Sequence, residues 1–164
     1  MPIDDNHAVD KDTLAPGRAQ RRAAMAVLAQ APADDIAHGL SLVGDGVEFK
    51  ELRPAETGLV MLRGRIGGKG APFNVGEATV TRAAVQLKSG ERGFAYVLGR
   101  DRRKAGLAAL CDALWQAEDY REQVEQYVLA PLRQTQRERR SVARTQTAAT
   151  RVDFFTLVRG ENER

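Results

Sequence analysis

The sequence has little of what small catalytic and metal sites are built from. Its 164 residues include one cysteine and two histidines, and aromatic residues make up 5%. A lone Cys111 cannot form an internal disulfide. It lies among Leu107, Leu110 and Leu114 inside a segment of helical period, so it reads as a core thiol in a reducing cytosol. The two histidines, His7 and His38, are far apart in the chain, so no i, i+4 pair can clamp a metal, and no Ser-His-Asp or Cys-His set suggests itself. Long apolar runs are also missing. The longest, Ala23 to Ala29, has seven residues against the ~20 needed to cross a bilayer. The first fifteen residues are acidic and polar, unlike a secretory signal, so the cytoplasm is the expected compartment.

What is present is enough length for one domain and an uneven charge. A chain of this size typically buries about 70% of its unfolded surface, and so can hold a core without metals or disulfides. The formal charge is +3, but Asp4, Asp5, Asp10 and Asp12 against Lys11 leave the first fifteen residues at −3. Residues 1–16, Asp-rich and without periodicity, read as a disordered leader to a single domain over 17–164.

Periodicity then predicts an α+β chain. A helix from Gly17 to Ala31 is stopped by Pro32, and a short one starts near Ala33, with Asp34 and Asp35 at its positive end. The pair forms a helical hairpin whose second helix offers acids, His38 and apolar residues, a poor reader of DNA. Beyond Gly44-Asp45-Gly46 the period falls to two. Four strands are expected, Val47 to Leu52, Gly58 to Ile66, Phe73 to Leu87 with a bend at Gly76, and Gly93 to Leu98. Their short connections imply an antiparallel meander. A helix from Arg102 to Ala117 carries the stripe Leu107, Leu110, Cys111 and Leu114, expected to pack on the sheet. A further helix runs to about Leu129 and is stopped by Pro131, a last one spans Arg133 to Thr150, and Val152 to Val158 closes the chain as a strand or extended segment.

Several positions invite a functional reading. Gly64-Arg65-Ile66-Gly67-Gly68-Lys69-Gly70 is not a phosphate loop, because Arg63 stands where its first glycine belongs and Gly70 where Ser or Thr belongs. It reads as a hairpin tip, or else as a loop in which Arg65 or Lys69 meets an anion. Arg133, Arg137, Arg140, Arg144 and Arg151 fall in one narrow stripe of the last helix, and residues 133 to 151 carry six arginines against Glu138. Such a stripe is a solvated face or an interface, and the opposite face, with Thr135, Val142, Gln146 and Ala149, is too weakly apolar to anchor the helix. Arg82 shares a strand face with Ala78, Val80 and Ala84; if a helix covers that face, the guanidinium needs a carboxylate, with Glu56 and Asp101 as candidates, or an anionic ligand. Arg102, Arg103 and Lys104 put cations at the unfavourable end of a helix.

From Arg53 onward the chain resembles the PhnG family of bacterial carbon–phosphorus lyase systems. The resemblance is carried by Pro54-Ala55-Glu56-Thr57-Gly58-Leu59-Val60, by RGRIGGKGAPFNVGEATVTRAAVQL from Arg63, and by YVLGRD from Tyr96 with Arg100 and Asp101. Ala130-Pro131-Leu132 and RVDFFTLVRG from Arg151, with Asp153, Phe154 and Phe155, complete it. Gly67, Gly68 and Gly70 belong to the second block. The resemblance implies a subunit working with PhnH-, PhnI- and PhnJ-type partners and an ATPase-like PhnL, with self-association within the core complex an open alternative. By the same resemblance, the PhnG, PhnH and PhnI types, aided by PhnL, form ribose 1-alkylphosphonate 5-triphosphate, a phosphonate displacing adenine from C1′ of ATP, and PhnJ, a radical iron–sulfur subunit, later breaks the C–P bond. The resemblance implies no catalytic residue in this chain and no cofactor of its own, ATP being the complex's substrate. The competing expectations are a stand-alone enzyme on a phosphorylated substrate and a nucleic-acid-binding module using the arginine helix. For the latter, the absence of interleaved aromatics is unfavourable.

Overall fold

The computed structural model describes residues 16–149 except positions 45 and 69. The acidic leader up to residue 15, Lys69, Arg151 and the Val152–Val158 segment lie outside the described residues, and Pro16 already belongs to the first helix. Two units are distinguished, one ending at Arg133 and one starting at Gln134.

In the first unit, α1 (Pro16–Gln30) and α2 (Ala33–Val43) make the expected helical hairpin, split at Ala31-Pro32. Three strands follow, β1 (Phe49–Arg65), β2 (Pro72–Leu87) and β3 (Arg92–Leu98), antiparallel in the order β1-β2-β3. The α+β class and the meander are as expected, but the four strands are three. The first two expected strands are one, continuous through Pro54. Proline can sit there for two reasons. β1 is an edge strand in the described sheet, and its register with β2 slips between Glu51 and Arg53 and again between Arg53 and Glu56. An edge position and a bulge are where a missing N–H breaks no ladder. The bend expected at Gly76 is a further bulge, between the pairs Leu62↔Gly76 and Arg63↔Asn74.

α3 (Arg102–Gln116) lies across β2 and β3. Its sheet-facing side is not the leucine stripe. A Cβ on Gly93 of β3 would stand 1.9 Å from the Ala109 carbonyl oxygen and 2.9 Å from the Ala113 methyl, so small residues on both elements bring helix and strand together. Leu107, Leu110 and Leu114 instead line a recess with Leu40 and Val43 of α2 and with Val47. The core is completed by Leu28, Ile36, Val97, Val124, Val128 and Leu129, all essentially inaccessible. Cys111 is buried among them, and burial pushes its thiol up to about 12, in keeping with a packing role.

Two of the three cations at the start of α3, Arg103 and Lys104, are accommodated internally. Asp101 caps the helix, accepting the Lys104 N–H at 2.8 Å. Lys104 Nζ donates to the Ala29 carbonyl at 2.6 Å, at the electronegative end of α1, and Arg103 pairs with Asp34 in the first turn of α2.

After α3, Glu118–Gln123 (α4) runs through a π-helical stretch, Val124–Leu129, into α5 (Ala130–Ala149). Pro131 therefore does not end a helix. It occupies the first turn after the wide stretch, where the Ala130 N–H already reaches back five residues to Glu125. The locally loosened ladder makes room for a residue that cannot donate. Gly39 of α2 packs on this stretch; a Cβ there would lie 2.8 Å from the Tyr127 carbonyl oxygen.

Candidate functional site

Pairing fixes which residues share a face of the sheet. Thr81, Ala83 and Val85 of β2 lie beside Val97, Ala95 and Gly93 of β3 on the side that α3 covers. Arg82 lies between Glu56 of β1 and Tyr96 of β3 on the other side, with Ala84↔Phe94 and Val80↔Leu98 next to it. That second face is open. Phe94, Tyr96 and Leu98 are 47%, 62% and 76% exposed.

Arg82 has the first of its expected partners. Its Nε donates to Glu56 Oε1 at 2.8 Å, and Arg53 donates to the same oxygen at 3.1 Å. Hydrogen bonding to Tyr96, then to Glu56, raises the Arg82 guanidinium further above its ordinary value. A polar rung thus crosses all three strands. Asp101 is engaged elsewhere, as the cap of α3. Behind the rung, Thr57 Oγ1 lies 3.2 Å from Thr81 Oγ1, and Thr81 donates to the Gly99 carbonyl at 2.7 Å.

β3 pairs with β2 only over Val80 to Gln86, so β1 and β2 continue past the sheet as a two-stranded ribbon. Gly58, opposite Val80, marks the point of departure. Eight residues of β1, Gly58 to Arg65, extend about 26 Å at ~3.3 Å each. The tip is the glycine cluster, closed by a 3₁₀ turn at Ile66–Gly68. Gly67 has φ 61°, Gly70 donates to the Ile66 carbonyl at 3.0 Å, and Arg65 donates to the Gly70 carbonyl at 3.2 Å. Arg65 thus fastens the tip.

The ribbon is apolar on both sides. Val60 and Leu62 continue the open face; Leu59 and Met61 lie on the side that α3 covers further down, and here nothing in the described structure covers it. Leu59 is 63% exposed and Met61 53%. Sequence reasoning marked the strand but missed that its apolar run stands exposed on both sides. The signal was the consecutive run Leu59-Val60-Met61-Leu62, which is the pattern of a strand enclosed on both faces.

The arginine stripe divides. Arg133 pairs with Glu125 at 2.5 Å within the first unit, and the same carboxylate accepts the Trp115 indole N–H at 2.8 Å. Burial disfavours ionisation of Glu125, but the bonds from Arg133 and Trp115 outweigh it and hold its carboxyl below the usual range. Arg121 lies over the Trp115 ring at 5.0 Å. In the second unit Arg137, Arg140 and Arg144 are on α5 and exposed, as is Val142. Within that unit Gln134 donates to Glu138 at 2.6 Å. Arg100 is exposed beside Asp101, and Asp153, Phe154 and Phe155 lie outside the described residues.

Sequence reasoning also missed the one buried carboxylate of the described core. Asp112 accepts Arg21 Nε at 2.8 Å and Nη2 at 2.6 Å, and its Oδ2 also accepts the Phe94 N–H at 2.8 Å. It ties α1, α3 and β3 together.

These features define an α+β chain whose conspicuous surfaces are a half-covered sheet and a protruding apolar arm, as in proteins built to be part of an assembly. The family described as phosphonate metabolism protein PhnG matches residues 19–160. The alpha-D-ribose 1-methylphosphonate 5-triphosphate synthase subunit PhnG of Rhizobium meliloti (strain 1021) is 48% identical over 149 residues, covering 89% of this chain and 93% of that protein. The chain belongs to the PhnG family. Among the described residues, no helix is long and apolar enough to cross a membrane.

Proposed function

We propose that this chain is an accessory, non-catalytic subunit of a cytoplasmic synthase. That synthase makes alpha-D-ribose 1-methylphosphonate 5-triphosphate from ATP and a phosphonate, with release of adenine. The observation that carries this reading is the near full-length match to a subunit bearing that activity in its name. The chemistry of the chain agrees with an accessory role. Its cysteine is a buried thiol pushed up to about 12, while large apolar side chains of the arm and the open sheet face stand exposed. Its partners are subunits of the PhnH, PhnI and PhnJ types. The arginines Arg137, Arg140 and Arg144, with Arg151, and the tip residues Arg65 and Lys69 serve contacts with those partners or with the rim of a polyphosphate site.

The test is adenine release from ATP and methylphosphonate by the purified partner subunits, with and without this chain. Release is expected only with the chain added, and none from the chain alone. Equal release in its absence overturns the proposal; release by the chain alone supports a stand-alone enzyme.

A further inference from the structure

We infer that the β1–β2 arm is an insertion element that seats in a groove of a different subunit, a groove with two apolar walls and an acidic rim. The inference rests on the subunit reading above and names the chemistry of the partner.

Three observations carry it. First, the arm exposes apolar side chains on opposite faces, Leu59 and Met61 on one and Val60 and Leu62 on the other. A flat partner could cover only one of these, whereas a groove covers both. Second, the area suits an interface. Including Ile66, Phe73 and Val75, which are 75%, 44% and 60% exposed, the two faces of the arm together present apolar surface on the order of 600 Å². The open face around Phe94, Tyr96 and Leu98 continues it through Val80↔Leu98, bringing the total towards the ~800 Å² per partner of a standard interface. Third, the charge on the arm has one dominant sign. Arg63 and Arg65, both exposed, flank the tip, and Glu77 is the one acid between residues 58 and 80. A complementary rim is acidic.

A second copy of this chain fits less well. Its acidic cleft, lined by Glu48, Glu91, Glu118 and Asp119 with Lys88, is mostly polar, and its open sheet face around Phe94, Tyr96 and Leu98 offers one apolar wall, which would leave the arm's other face unmatched. A different subunit is therefore the occupant we assign.

The test is co-expression of the full chain with the other synthase subunits, with affinity and stoichiometry read on the purified assembly. The wild-type chain is expected to join. The exposed pair Leu59→Asp with Met61→Asp should leave the circular dichroism and melting temperature of the isolated chain unchanged but weaken entry at least ~30-fold, as for a central interface residue. Arg63→Glu with Arg65→Glu should weaken entry about tenfold, and the loss should shrink as salt is raised. If the wild-type joins and the Leu59/Met61 variant joins equally well, the arm proposal is overturned and the subunit reading stands. If the wild-type does not join, both fall. If native mass spectrometry of the isolated chain shows a dimer that the Leu59/Met61 variant abolishes while its entry is unchanged, the occupant is a second copy and the inference is wrong. A charge-pair variant unaffected in affinity at every salt concentration overturns the acidic rim.

Discussion

Where β3 meets α3 there is space for a hydrogen atom and nothing larger. A methyl on Gly93 would collide with backbone atoms of Ala109 and Ala113, which cannot rotate away as a side chain can. Gly93→Ala should therefore cost about 3 kcal/mol, at the high end for overpacking, measured as a fall in the urea midpoint at unchanged slope. Asp112 makes a comparable case in electrostatics. With Arg21 and the Phe94 N–H as donors it is well paired, but Asp112→Ala leaves both without their acceptor. A loss of about 3 kcal/mol is expected, again by urea unfolding; the half-exposed Arg21 can recover water, which keeps the loss at the lower end for a broken buried pair. Glu125 gives a pH signature. Its folded carboxyl is below the ordinary 4.5, so its stabilising contribution is present above that value and disappears as pH falls through the lower folded one. Glu125→Gln should flatten the acid limb of the stability–pH curve in that window and leave its slope above pH 6 unchanged.

Elements differ in how far neighbours support them. β2 between Val80 and Gln86 has a strand on each side and a helix above, whereas the same strand from Pro72 to Ala78 has β1 alone, Thr79 still accepting the Gly99 N–H. Two-stranded ribbons are marginal in water. Amide exchange in the isolated chain should therefore be much faster at 58–65 and 72–79 than at 80–86, and should slow in the arm on assembly with the partner subunits. Equal protection of both halves of β2 in the isolated chain would contradict this. The helices show the limits of local rules. Periodicity located α1, α2 and α3 closely, because caps and breakers such as Asp101 and Pro32 act within a turn. Pro131 misled because its effect depends on the ladder around it, and the π-helical stretch is held by tertiary packing of Val124, Val128 and Leu129 and by Gly39 of α2. Pro54 misled in the same way. Whether a proline ends a strand depends on whether that strand is an edge, which no local pattern records.

For the whole molecule, the sequence determined the α+β class, the antiparallel meander, the buried thiol at Cys111 and the family, because these follow from local periodicity, short connections and extended blocks of matching residues. Glu56 could be named only as one of two candidate partners of Arg82, beside Asp101, and the pairing of β1 with β2 decided between them. The sequence could not say which apolar residues are covered. Leu59-Val60-Met61-Leu62 and Ala83-Ala84-Val85 both read as strand, yet the first stands in solvent and the second in the core. Tertiary structure decided this through the length of β3. Cover over β2 ends where its pairing with β3 ends, at Val80, and the side chains beyond that point have only each other and solvent within the described fold.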